Sequence, residues 1–232
     1  RKLLREMGLY GVVSVDTLWG LTLPYVDNLV GLLVDKLSWH KSHEDEFFRV
    51  LAPGGVAMLQ GSPENSPFIV EELGNGWVKC TKPVPDALDE WRHYLHGPDN
   101  NPVGNDTVVG PPRHMQWVGG PEWTRNHHML NSISAAITAS GRLFYIVDEA
   151  TAADMRVPGK WRLIARDAYS GVFLWKKSLE SWAFHALRFR SGPPQVPRLL
   201  VASTEHVYAP LGLSEPVCKL NAADGETVAT YD

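Results

Sequence analysis

The placement of proline constrains this chain more than any other feature. Of 17 prolines, one (Pro24) lies in the first 52 residues, ten lie from Pro53 to Pro121, and six follow. A proline ring fixes φ and removes a backbone donor, so it is largely excluded from helix interiors and central strands. The first stretch can therefore be regular, while the middle largely cannot. Three parts are expected, at residues 1–72, 73–130 and 131–232.

Charge and composition then narrow the class. With 22 Lys+Arg against 26 Asp+Glu the net charge is −4, so there is no basic footprint for nucleic acid. At 44% hydrophobic and 21% charged residues, neither a disordered tail nor a collagenous repeat is expected. No apolar run approaches the ~18 residues of a membrane span. Cys80 and Cys218 cannot make a disulfide framework. The first residue is Arg1 rather than Met, so the chain is expected to be part of a longer one.

The first part reads as alternating helix and strand. Residues 1–7 are charged and Leu-rich, with stops at Gly8 and Gly11; residues 12–15 and 29–33 are apolar and strand-like. Glu44, Asp45 and Glu46 precede Phe47, Phe48, Val50 and Leu51, which predicts a helix with its acidic residues at the N-terminus. Pro53-Gly54-Gly55 is expected to end that helix, with a new strand at 56–59. Such alternation predicts a parallel α/β sheet. The order Leu23-Pro24-Tyr25-Val26-Asp27-Asn28, apolar strand, Arg49-Val50-Leu51-Ala52-Pro53-Gly54-Gly55 resembles the later half of a class I S-adenosylmethionine-dependent methyltransferase. That resemblance implies a Rossmann-like half-domain, with Asp27 and Asn28 approaching S-adenosylmethionine from a strand's carboxyl end. The family's glycine-rich donor loop would lie upstream of Arg1. Trp19 stands where many members carry an acidic residue, so the segment is not expected to bind the donor unaided.

Residues 73–130 hold Trp77, Trp91, Trp117 and Trp123 and two histidine pairs, His93-x-x-His96 and His127-His128. If 86–94 is helical, His93 and His96 share a face and form a candidate metal pair, with His114, Asp89 or Asp99 as a further ligand. The plainer reading gives these histidines a structural or surface role. Residues 96–103 form a turn cluster without periodicity, expected to be either an aromatic-pinned crossing or a loop over a pocket.

An internal repeat dominates the last part. Asp167-Ala168-Tyr169-Ser170-Gly171 and Asn221-Ala222-Ala223-Asp224-Gly225 are each flanked by β-rich runs, and the two glycines are 225 − 171 = 54 residues apart. Each copy predicts a hairpin, closed by the Asp or Asn side chain and by a glycine at positive φ. With Trp175 four residues after Gly171, the first copy resembles the pyrroloquinoline-quinone-type β-propeller repeat; Ala229 takes the Trp position in the second. Trp175 is expected to pack between neighbouring units. Asp89-Glu90-Trp91-Arg92-His93-Tyr94-Leu95-His96 and Val108 through Trp117 further resemble a bacterial group that fuses a methyltransferase-like segment to such blades. Its members look extracytoplasmic.

The expected fold is thus α/β plus all-β: a partial Rossmann-like methyltransferase half, a proline-rich connector and the first blades of a β-propeller. The expected function is a scaffold that binds a protein or a polysaccharide. The resemblances leave two alternatives for the intact protein, a quinoprotein dehydrogenase using pyrroloquinoline quinone with Ca²⁺, or a methyltransferase using S-adenosylmethionine. Quinoproteins of this kind often carry an adjacent cysteine pair, which this chain lacks.

Overall fold

Alternation of buried and exposed side chains, rather than helical periodicity, organises this chain. The computed structural model describes residues 1–37, 43–63, 66–111, 114–120, 133–151, 157–180, 182 and 195–232. Three four-stranded sheets account for nearly all of its regular structure.

In the first sheet, β1 (Val30–Asp35), β2 (Leu51–Gln60), β3 (Ile69–Gly74) and β4 (Trp77–Thr81) take the order β1-β2-β4-β3. Only β1 and β2 are parallel; β2–β4 and β3–β4 are antiparallel. The helices are α1 (Lys2–Glu6), which buries nothing, and α2 (Glu44–Val50), which buries Phe47 and Val50. The α/β expectation is therefore corrected: the described residues are mostly β, and they show no Rossmann-like half.

Two local causes explain the difference. Pro53-Gly54-Gly55 is drawn into β2 as a bulge, where β1 advances from Val30 to Leu32 while β2 advances from Leu51 to Val56. Gly54 takes φ +76° and donates its N–H to the Lys82 carbonyl, and Lys82 N–H returns a bond to Gly55. Beyond that point Asn75 (φ 52°) and Gly76 (φ 76°) turn the chain back between β3 and β4, as an Asn-Gly pair favours. The chain makes a hairpin where a crossover helix would be needed. Residues 12–15 form no strand and are exposed. Acidic residues do occupy the first turn of α2, as expected.

The second sheet is a meander of β5 (Ile133–Ala139), β6 (Arg142–Asp148), β7 (Trp161–Asp167) and β8 (Phe173–Ser178), each antiparallel to the next. The third runs β9 (Val201–Ala202), β10 (His206–Pro210), β11 (Val217–Asn221) and β12 (Thr227–Tyr231) in the same manner. A single core, including Ile137, Phe144, Leu163, Trp182, Val207 and Leu220, spans both sheets. Burial of this kind contributes roughly 25 cal/mol per Å² of apolar surface.

Both predicted hairpins form. Asp167 Oδ1 accepts from the Ser170 N–H at 2.7 Å, Asn221 Oδ1 accepts from the Ala223 N–H at 2.9 Å, and Gly171 and Gly225 lie at φ 71° and 76°. The Trp175 indole reaches the next hairpin, donating to the Ala222 carbonyl at 3.0 Å. The connector's Trp117 does the same one unit earlier, donating to the Ala168 carbonyl at 3.0 Å. Trp117 thus fills, from outside the sheets, the position that Trp175 fills from β8.

Candidate functional site

The edges of β5 and β9 determine what the connector does. An uncovered edge strand presents unpaired N–H and C=O groups, and residues 91–92 satisfy part of both edges. The Trp91 N–H donates to Thr138 Oγ1 at 2.9 Å, the Thr138 N–H donates to the Trp91 carbonyl at 2.8 Å, and the Ala202 N–H donates to the Arg92 carbonyl at 3.1 Å. Residues 86–94 therefore do not meet the helical condition for the metal pair: they run irregularly between turns at 86–87 and 94–95, with Trp91 and Arg92 engaged with two sheets.

His93 and His96 are brought together in a tight reversal, each N–H donating to the other's carbonyl at 3.1 Å. His96 takes φ 68° and sets Nε2 2.7 Å from Asp89 Oδ2, with its ring edge-on to Trp91. His93 Nδ1 is buried without a hydrogen-bond partner. Asp89 also accepts from the N–H groups of Asn105 (2.6 Å) and Glu90 (2.7 Å). These backbone donors, with His96, hold the Asp89 carboxyl below its ordinary range. Asp99 accepts from the Asn101 N–H at 3.3 Å. Among the described residues no three His, Cys, Asp or Glu side chains stand together as a metal site. His127, His128 and Trp123 lie outside the described residues.

Asp27 and Asn28 sit in a latch. Arg49 donates to Asp27 Oδ1 (2.6 Å), Glu46 Oε1 (2.7 Å) and the Leu23 carbonyl (3.3 Å), while Glu46 Oε1 accepts the Leu23 N–H at 2.6 Å. The Lys82 ammonium donates to Asn28 Oδ1 (2.6 Å) and to the carbonyls of Phe48 (2.6 Å) and Leu51 (2.8 Å), over the Phe48 ring. Burial pushes the Lys82 pKa down, partly offset by the Asp27 charge. The two motifs that carried the methyltransferase resemblance thus bind each other. Asp27 is engaged by Arg49 and Asn28 by Lys82, which ties the turn before β1 to α2 and to the end of β4. Cys80 and Cys218 are both buried as free thiols.

The site with room for a ligand lies elsewhere. A cleft of about 1100 Å³ opens where the connector faces the β5–β6 turn, lined among others by Asp86, Arg92, His93, Arg142, Asp167 and Tyr169. The Glu90 carboxylate fixes the wall, accepting the Ser140 N–H and pairing with Arg92 at 2.6 Å. Burial, with the nearby charges of Glu90, Asp167 and Asp106, raises the Tyr169 pKa. A second hollow of about 540 Å³ lies against the β9–β10 turn. Sequence reasoning missed Lys82, Tyr169 and the 140–142 turn. Tyr169 was visible as the variable residue inside the repeat's own hairpin, whereas nothing about a single lysine after β4 signals burial.

No protein-family model matches this chain, and no curated protein sequence matches it.

Proposed function

We propose that this chain is a stacked-sheet repeat scaffold of the pyrroloquinoline-quinone-like type, and that its cleft binds a polysaccharide rather than carrying out a reaction. One observation carries the binding-not-catalysis reading: three of the four carboxylates that line the cleft already hold the protein together. Asp89 holds His96 and the backbone at Asn105, Glu90 holds Ser140 and Arg92, and Asp167 closes its own hairpin. A general acid or base must exchange a proton with substrate, whereas these carboxylates spend lone pairs on donors within the protein and offer the rest as acceptors for hydroxyl groups.

The polysaccharide is favoured over a protein partner by the shape and chemistry of the cleft. It is concave, and its carboxylates, arginines and Tyr169 supply acceptors, donors and one aromatic ring suited to hydroxylated sugars. Gel electrophoresis of the full chain through embedded cellulose-derived, starch-derived and pectic polysaccharides tests this. Retardation by a neutral polysaccharide, abolished by Tyr169→Ala with an unchanged circular-dichroism spectrum, supports the reading. Free migration in every gel contradicts it, as does a protein ligand whose binding survives Tyr169→Ala.

A further inference from the structure

The two hollows are related by the repeat. Arg142 pairs with Asp167 across β6–β7, and His206 pairs with Asn221 across β10–β11. The Ala168 N–H donates to the Gly141 carbonyl and the Ala222 N–H to the Glu205 carbonyl, both at 2.8 Å. Ser140, Gly141, Arg142 and Tyr169 therefore correspond to Thr204, Glu205, His206 and Ala223. The first set lines the larger hollow and the second the smaller. Ser140 and Arg142 line both, so the hollows adjoin at Arg142. Among the described residues the Arg142 guanidinium makes one long bond, 3.5 Å to the Thr204 carbonyl, which leaves most of its five donors for other acceptors.

We infer that the two hollows are consecutive subsites for one linear, neutral polysaccharide chain that crosses Arg142. This rests on the polysaccharide reading of the larger cleft and extends it to ligand length and charge. Length follows from the pair of adjoining lobes. Charge follows from the lining: Asp86, Asp89, Glu90, Asp167 and Glu205 outnumber Arg92 and Arg142, so an acidic chain is repelled while hydroxyl groups find acceptors and donors. The lobes are unequal because connector and first-sheet residues such as Asp86, Arg92 and Pro53 wall the larger one, whereas the smaller is lined only by turns of the second and third sheets. The larger lobe therefore binds a short fragment on its own, and the smaller one adds affinity only to a chain long enough to reach it.

Calorimetric titration of the full chain with cellobiose, cellohexaose, maltose, maltohexaose and hexagalacturonic acid tests this. For one neutral series the hexasaccharide should bind at least about tenfold more tightly than the disaccharide, as expected when a second site is reached intramolecularly. Glu205→Ala, at an exposed position in the smaller lobe, should remove that gain and leave disaccharide affinity unchanged; Arg142→Ala should remove it as well. Equal affinity for the two lengths, or a gain that survives both substitutions, overturns the two-subsite inference while leaving the cleft a binding site. Tighter binding of hexagalacturonic acid than of either neutral hexamer overturns the charge argument. No binding by any of the five overturns the polysaccharide reading itself.

Discussion

The Trp175 indole N–H donates to the Ala222 carbonyl at 3.0 Å, and a Cβ added at Gly225 would lie 2.6 Å from the same indole ring. One side chain from the second sheet thus determines both the hydrogen bonding and the residue type of a turn in the third. Gly225→Ala combines left-handed strain at φ 76° with overpacking against the ring, and should cost about 2–4 kcal/mol. In a Trp175→Ala background the steric part disappears and the cost should fall to about 1–2 kcal/mol. Urea unfolding of the four proteins in this cycle measures the difference. Purely additive costs would mean that the ring and the turn are not coupled.

Trp117 makes the matching prediction at the other hairpin. A Cβ at Gly171 would meet the Trp117 ring, so Trp117→Ala should destabilise the β7–β8 hairpin although Trp117 belongs to no strand. Amide exchange at Ala168–Val172 should accelerate in this variant relative to β12. Unchanged protection there would remove Trp117 from the stack.

Cys80 gives a pH prediction. Burial, with Glu44 and Glu72 nearby, pushes its thiol from the ordinary 9.0 up to about 11. The folded state therefore holds the proton more tightly than the unfolded one. The corresponding stability is fully present below pH 9.0 and is lost as pH rises through about 11. Cys80→Ala should flatten this decline in unfolding midpoint. An equal decline in both proteins would assign it to other groups.

The Arg49 latch tests why Asp27 and Asn28 lie where they do. Arg49→Lys retains the charge but not the planar fork that reaches Glu46, Asp27 and the Leu23 carbonyl together. Hydrogen exchange should accelerate at the Leu23 and Asn28 amides, with β4 unaffected. Protection equal to the wild type would mean that Lys82 alone secures the turn.

These contacts also mark what was legible in the sequence. The repeat was, because its hairpins depend on local chemistry: an Asp or Asn that closes the turn and a glycine at positive φ. The α/β half was misread because Pro53-Gly54-Gly55 resembles a helix stop, yet is absorbed as a bulge once Lys82 pairs with Gly54 and Gly55. The Asn75-Gly76 pair is a direct hairpin signal, and it opposes a crossover helix after β2. His93 and His96 are joined by a two-residue reversal rather than a helix face, a connection that their spacing alone does not encode. The cleft was not legible. Its walls come from segments some fifty residues apart, joined by contacts such as Glu90 with Ser140 that no local pattern encodes.

The most direct test of the account is an NMR titration of amide and indole resonances with cellohexaose and maltohexaose. Shift changes are expected at Gly141, Arg142 and Tyr169 and also at Glu205 and Ala223, the last two being absent when cellobiose or maltose replaces the hexamer. Resonances unmoved by either sugar, or changes confined to the first sheet, would contradict the account.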